Sequence, residues 1–143
     1  MEKVTKERQL TVAIGNRIGA VAEITGAVAD KGVNITNVCA YTAGDVAVFH
    51  LLTDDNGKAR KALQDEGYHV VETEVIVLHL WNRPGSLSAV ATKFRQHAIN
   101  LHYVYGTSSL GGEKMTIVFS SEDNDKAVEV FDSMAIDEAQ ETA

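Results

Sequence analysis

Cysteine, proline and long apolar runs are scarce in this sequence. Its single cysteine, Cys39, excludes an internal disulfide and a cysteine-based metal cluster, and its strand-like surroundings favour a small buried hydrophobe. No run of about 18 apolar residues occurs, which excludes a membrane-spanning helix. The charged start, MEKVTKERQL, lacks the apolar core of a signal peptide, so we expect a cytoplasmic protein.

Basic stretches and metal-ligand spacings are also missing. The net charge is −7, and nucleic-acid or anionic-membrane binding needs a basic face, so we expect neither partner. The histidines lie on different predicted elements without the i, i+4 spacing of a helical metal site, so we expect no metal and no cofactor. We place all of them at the surface or at its rim: His50, His69, His79, His97 and His102.

The only proline lies in WNRPG, residues 81–85, and a near copy, GNRIG, occupies residues 15–19. Asn16 and Asn82 are 66 residues apart (82 minus 16), and the same offset relates other pairs, which are Arg17 and Arg83, Gly19 and Gly85, and Asn34 and Asn100. Before each motif the sequence alternates like a strand, at Leu10, Val12 and Ile14 and at Ile76, Leu78 and Leu80. After it the spacing i, i+3, i+7 predicts one buried helix face, at Val21, Ile24 and Val28 and at Leu87, Val90 and Phe94. The chain is therefore a duplication.

Each copy is predicted to run strand, helix, strand, strand, helix, strand. In the first copy we expect strands at 8–15, 34–41, 45–53 and 68–74, and helices at 19–31 and 56–66. In the second we expect strands at 75–81, 100–107 and 113–120, and helices at 85–97 and 124–134. The βαββαβ order predicts an α+β fold of two ferredoxin-like units, each an antiparallel sheet with its helices on one face.

The predicted domains are residues 8–74 and 75–136, followed by a tail at 137–143. The last strand of the second domain is expected to be short or missing, because only Ile136 is a strong strand former after Met134. The strand at Val75–Trp81 is apolar on both faces, and helices cover only one of them. We therefore expect the other face to form a homodimer.

The Asn-Arg-x-Gly motif combines groups suited to a zwitterion such as an amino acid. The start of a helix offers free N–H groups and a positive dipole to an anion. Gly19 and Gly85 allow a ligand close to the backbone, while the amides of Asn16 and Asn82 can both donate and accept hydrogen bonds. The alternative is purely structural: the Asn caps the helix, the Gly permits the turn and the Arg points into solvent.

Asn34 and Asn100 are predicted just inside the second strand of each copy, where asparagine is disfavoured. A bond from its side chain to the preceding turn is one explanation. Because the first and second strands are parallel, Asn34 lies at the opposite end of its unit from Asn16. If two units join through antiparallel second strands, Asn16 approaches Asn100 and Asn82 approaches Asn34. This arrangement predicts two pseudo-symmetric pockets between units.

The segments NRIGAVAEITGAVADKGVNI and NRPGSLSAVATKFRQHAINL resemble ACT domains, the small regulatory modules of amino-acid metabolism. The resemblance covers about residues 8–134 and implies a non-catalytic protein that binds an amino acid at an interface between ACT units. It also implies a separate partner enzyme of amino-acid biosynthesis. The implied ligand-binding residues are Asn16, Ile18, Gly19, Asn34, Ile35, Asn82, Pro84, Gly85, Asn100 and Leu101. The first turn departs from the family by having Ile18 where proline is usual.

Two other functions remain open. An assembly module with degenerate pockets would keep the fold and lose the ligand. An acylphosphatase-like enzyme shares the βαββαβ order and uses an arginine in the first turn, but the Gly-rich run that ends in Phe-Arg in those enzymes is missing here.

Overall fold

The computed structural model describes residues 3–108 and 111–132, which form two compact units. The first unit is Arg8–Thr73. The second unit combines the described residues before Arg8 with those from Glu74 onward. Among the described residues, no helix is long and apolar enough to cross a membrane.

The first unit follows the predicted order of elements. It contains most of β1 (Lys3–Gly15), then α1 (Ala20–Ala29), β2 (Ile35–Ala43), β3 (Val46–Thr53), α2 (Asn56–Asp65) and the start of β4 (Val70–Trp81). β3 is antiparallel to both β1 and β2, with Val12 opposite Phe49 and Cys39 opposite His50. β1 and β2 are therefore parallel to each other, as the crossover rule predicts.

The second unit repeats this pattern. It contains the rest of β4, then α3 (Ser86–Gln96), β5 (Leu101–Ser108), β6 (Lys114–Ser121) and a helix, α4, described over residues 124–132. β6 is antiparallel to both β4 and β5, and Phe119 lies opposite Ile76 and Val104. The prediction of an α+β fold with two ferredoxin-like units is confirmed.

Each unit has its own apolar core between sheet and helices. The alternating strand residues predicted to be buried are buried in both copies, and so are Ile24, Val28, Val90 and Phe94 on the helices. The prediction was wrong for the first residue of each helix face: Val21 is 57% exposed and Leu87 is 41% exposed. These residues lie in the first helical turn, and each is a candidate contact for another molecule.

The start of the chain extends β1 by five residues before the predicted strand at 8–15. This segment, residues 3–7, belongs to the second unit, where Val4 packs against the core and Lys6 forms an ion pair with Asp125. The short or missing strand that the sequence predicts near Ile136, and the tail at 137–143, lie outside the described residues. The predicted strands at 68–74 and 75–81 form one uninterrupted strand, β4.

The second face of β4 is less open than the sequence suggests. Val75 is 0% exposed and Val77 is 4% exposed in the single chain, while His79 and Trp81 are half-buried. The two valines therefore need no second copy to leave water. A homodimer through the Val75–Trp81 face stays a prediction, and the two valines no longer support it.

Candidate functional site

The loop between β1 and α1, residues 16–19, holds a fixed backbone conformation. Asn16 N–H donates to the Asp45 carbonyl at 2.7 Å, which ties the loop to the β2–β3 hairpin. Gly19 precedes the helix with φ 86° and ψ 2°, in the left-handed region where a side chain is strained. The loop therefore enters the helix through a conformation that requires glycine.

The loop between β4 and α3, residues 82–85, repeats these two features. Asn82 N–H donates to the Glu113 carbonyl at 2.8 Å, and Gly85 has φ 87° and ψ −10°. The Asn82 side chain also donates to the Gly112 carbonyl at 3.3 Å. The duplication is thus preserved in backbone geometry as well as in sequence.

The structural alternative predicts that the asparagine caps the helix, and this prediction is wrong for both copies. Neither α1 nor α3 has a side-chain hydrogen bond at its N-cap. In α1 the first bond to the N-cap runs from Glu23 N–H to the Gly19 carbonyl, so the N–H groups of Val21 and Ala22 point out of the helix end. With the positive end of the helix dipole, these groups can bind an anion.

A depression of about 550 Å3 lies beside the first loop, within the range of small-molecule sites, roughly 300–1,000 Å3. All of its lining comes from the first unit. The residues belong to the loop, the first turn of α1, the end of β2 and the start of β3, and they are Asn16, Arg17, Gly19, Ala20, Val21, Ala22, Ala40, Tyr41, Thr42, Ala47 and Phe49. Polar groups therefore line one part of an otherwise small and apolar surface.

Arg17 does not simply point into solvent. Its Nε and one Nη donate to the two carboxylate oxygens of Glu23, at 2.9 and 3.0 Å, and the Tyr68 hydroxyl donates to the same carboxylate at 3.2 Å. These bonds, chiefly the one from Arg17, lower the pKa of Glu23 below its ordinary value and keep it ionised. They also raise the pKa of the Arg17 guanidinium.

Arg83 has a different environment. Its guanidinium carbon lies 4.9 Å from the centre of the Trp81 ring, and Lys114 Nζ lies 4.3 Å from the same ring. The offset of 66 places Ala89 where the first copy has Glu23, and Trp81 where the first copy has Gly15. The two loops therefore share a backbone and differ in what holds their arginine.

Asn34 and Asn100 lie one residue before β2 and β5, not just inside these strands. Asn34 N–H donates to the Asp54 side chain at 2.9 Å, and its carbonyl accepts from Asp54 N–H at 3.0 Å. The Asn100 carbonyl accepts from Glu122 N–H at 2.9 Å. Both side chains are exposed, and Asn34 does not line the depression at Asn16, as the parallel strands require.

The remaining predicted site residues fall into two groups. Ile18 and Pro84 are exposed on the loops. Ile35 and Leu101 are half-buried and pack against the cores of their own units, so within one unit they support the structure. Within the described part of either unit, the loop residue (Ile18 or Pro84) and the strand residue (Ile35 or Leu101) do not form one site.

β2 and β5 each pair with one strand only, β3 and β6 respectively, over residues 3–108 and 111–132. Val38 on β2 and its repeat counterpart Val104 on β5 are exposed, and so are Val21 and Leu87 in the first turns of α1 and α3. An unpaired strand edge next to apolar side chains is suited to pairing with another strand.

Sequence reasoning missed part of the depression and a polar cluster beside it. The end of β2 (Ala40, Tyr41 and Thr42) lies near the loop because β1 and β2 are parallel, so that geometry could have found these residues. The Tyr41 hydroxyl lies 3.1 Å from Nε2 of His50, whose Nδ1 lies 2.9 Å from the Thr11 hydroxyl. His50 is 4% exposed, so the expectation of a surface or rim position was wrong for it. Burial lowers the pKa of His50.

No group of three or more His, Cys, Asp or Glu side chains is arranged to hold a metal ion in the part of the chain that the structure describes.

Comparisons with known proteins agree with this geometry. A structure of protein BT0572 from Bacteroides thetaiotaomicron is similar over 92% of this chain and 90% of its own, with 24% identity and a TM-score of 0.85. The regulatory subunit of aspartate kinase from Thermus thermophilus, in its ligand-free form, is similar over 89% of this chain and 93% of its own, with 13% identity and a TM-score of 0.67. A structure of aspartokinase alpha and beta subunits is similar over 90% and 93%, with 14% identity and a TM-score of 0.62. At these identities the similarity shows the fold.

A search among curated proteins returned no match. The sequence profile of the ACT domain pair matches residues 5–141, nearly the whole chain. ACT domains are regulatory, ligand-binding modules, and both repeats described above fall within the matched range. The chain therefore belongs to the ACT domain pair family.

Proposed function

We propose that this protein is a non-catalytic regulator that binds a free amino acid at its two Asn-Arg-x-Gly loops. One observation carries the proposal. Both loops enter their helix through a left-handed glycine without a side-chain cap, and the first of them opens onto a depression of about 550 Å3.

The groups at the first loop match the two ends of a zwitterion. The N–H groups of Val21 and Ala22 can donate to the ligand's carboxylate. The Asn16 side chain makes no hydrogen bond with the described residues and can accept from the ligand's ammonium group. Ala40, Ala47 and Phe49 would then contact the ligand's side chain.

The binding pocket would be completed by a second ACT unit. In this proposal an outer strand, β2 or β5, pairs antiparallel with the outer strand of another copy of the protein. Asn34 would then complete the loop at Asn82, and Asn100 the loop at Asn16. The exposed Val38 and Val104, together with the unpaired strand edges, support a homodimer of this kind.

The protein would act on an enzyme made as a separate chain, in the cytoplasm where free amino acids are metabolised. The similarity to a regulatory subunit of aspartate kinase makes an enzyme of amino-acid biosynthesis the first candidate. Binding between units could change their relative geometry, which is a common allosteric device. An acylphosphatase-like activity is disfavoured because Arg17, the arginine it would need, is held by Glu23.

Calorimetric titration with each proteinogenic amino acid tests the proposal. We expect at least one to bind, and we expect Asn82→Ala and Asn34→Ala to weaken the same site. Asn37→Ala, on the opposite face of β2 from Val38, is the matched control and should leave binding unchanged. If no amino acid gives a heat of binding with well-folded protein, the assembly module would be favoured. Independent effects of Asn82→Ala and Asn34→Ala on two sites would contradict the shared pocket.

A further inference from the structure

Among the described residues, Arg17 is the only charged side chain that lines the depression at the first loop. An unpaired guanidinium there would attract the side-chain carboxylate of an aspartate or glutamate ligand, since arginine binds carboxylates through two parallel hydrogen bonds. The charge preference of the site therefore depends on whether Arg17 is free.

Arg17 is not free. One edge of its guanidinium, Nε and one Nη, donates two hydrogen bonds to the Glu23 carboxylate, at 2.9 and 3.0 Å, and the Tyr68 hydroxyl donates to the same carboxylate at 3.2 Å. The positive charge at the wall of the depression is thus neutralised within the unit. The negative charge of Glu23 is likewise paired with Arg17, and its carboxylate already accepts three hydrogen bonds, so it offers no unpaired charge to a cationic ligand.

From this arrangement we infer that Glu23 makes the first loop selective for amino acids with uncharged side chains. The inference rests on the proposed function and adds a specificity-determining residue to it. The side-chain carboxylate of a dicarboxylic amino acid would find Arg17 already paired with Glu23, so no unpaired cation would attract it. A lysine or arginine ligand would find no unpaired carboxylate among the lining residues.

The second loop provides an internal comparison. Its arginine, Arg83, lies over Trp81, and the position equivalent to Glu23 is Ala89. A cation over an aromatic ring is not neutralised, so Arg83 can still bind a carboxylate. Changes at Glu23 should therefore alter the preference of the first loop and leave that of the second unchanged.

The experiment uses the full chain labelled with nitrogen-15 glycine, because Gly19 and Gly85 report on the two loops separately. Their amide signals are assigned by their loss in Gly19→Ala and Gly85→Ala. Nearly isosteric ligand pairs, asparagine with aspartate and glutamine with glutamate, are titrated while the two signals are followed. The variants are Glu23→Gln and its matched control Glu72→Gln, which also removes an ion-paired carboxylate from the first unit, away from the depression.

In the wild-type protein we expect the uncharged member of each pair to shift the Gly19 signal at a lower ligand concentration. Glu23→Gln should shift that preference toward the acid by roughly two- to fivefold, the size typical of exposed charge pairs. Glu72→Gln should not shift it. As a second variant, Arg17→Met frees Glu23 and should shift the preference toward lysine over norleucine.

Three outcomes would overturn the inference. Aspartate binding as tightly as asparagine at Gly19 of the wild-type protein would refute it and leave the proposed function standing. An unchanged preference in both Glu23→Gln and Arg17→Met would refute the role of the ion pair. If no amino acid moves either glycine signal, the proposed function fails and the inference fails with it.

Discussion

Replacing Gly85 or Gly19 with alanine tests the backbone conformation on which the candidate site depends. Gly85 has φ 87° and Gly19 has φ 86°, and no heavy atom lies within 4 Å of a Cβ added at either position. The cost of alanine is therefore conformational and not steric. An L-residue in the left-handed region costs about 1–2 kcal/mol, and the stiffer unfolded chain offsets about 0.4–1 kcal/mol of that cost. We expect each variant to lose about 1 kcal/mol of unfolding free energy.

Gly26→Ala is the matched control for this prediction. Gly26 lies within α1, and an added Cβ there also meets nothing within 4 Å, but its φ is not positive. Alanine is a better helix former than glycine by about 0.8–1 kcal/mol, so this substitution should stabilise the protein. The same chemical change is thus expected to have opposite signs at the two kinds of position.

Urea unfolding followed by circular dichroism and by the fluorescence of Trp81, the only tryptophan, measures these differences. The comparison is valid where the slope of the free energy against urea is unchanged. Gly85→Ala and Gly19→Ala that are as stable as the wild-type protein, or a Gly26→Ala that is equally destabilised, would refute the left-handed conformation of the loops.

Three further predictions concern packing and titration. Gly106→Ala should destabilise the protein by about 1–3 kcal/mol, because a Cβ there would lie 2.3 Å from Ile117 Cδ1 and 2.7 Å from the Thr116 carbonyl oxygen; an unchanged urea midpoint would contradict this close packing. Burial lowers the pKa of His50, so the unfolded state binds its proton first and unfolding free energy should fall as pH drops below about 6.5, the ordinary histidine value. His50→Gln should lessen that fall relative to His97→Gln, an exposed control, and parallel profiles would exclude His50 as its source. Arg17→Met should raise the pKa of Glu23 toward its ordinary value in a carbon-13 titration, since the bond from Arg17 is the main cause of the lowered pKa; an unchanged pKa would mean that the ion pair does not persist in solution.

The internal repeat predicted the fold well because its signals are local. Alternation at Leu10, Val12 and Ile14, and glycine after a strand-like run, depend on residues close together in the sequence. The same offset then located the second loop. The parallel strands also separated Asn34 from Asn16 correctly, because the handedness of the crossover leaves little choice.

Features that depend on distant residues were not predictable in this way. The segment at residues 3–7 joins the second unit, whose other residues begin at Glu74, and no local pattern announces such a connection. The burial of His50 depends on partners from other strands. Val21 fits a buried helix face by spacing, yet its neighbourhood is open beside β2.

The ion pair of Arg17 with Glu23 is an intermediate case. Both residues are visible in the sequence, six positions apart, but only the left-handed turn at Gly19 brings their side chains together. The signal that could have pointed to the ion pair is a break in the repeat, because the position equivalent to Glu23 in the second copy is Ala89. Differences between two copies of a motif are therefore as informative as the residues they share.

The most direct measurement of the central claim is the glycine amide spectrum of the full chain with and without the amino acid that calorimetry identifies. If the ligand binds at the loops, the signals of Gly19 or Gly85 shift in proportion to the calorimetric saturation, while that of Gly67, after α2, stays in place. Saturable binding that moves other glycine signals and leaves both loop glycines unchanged would contradict the claim.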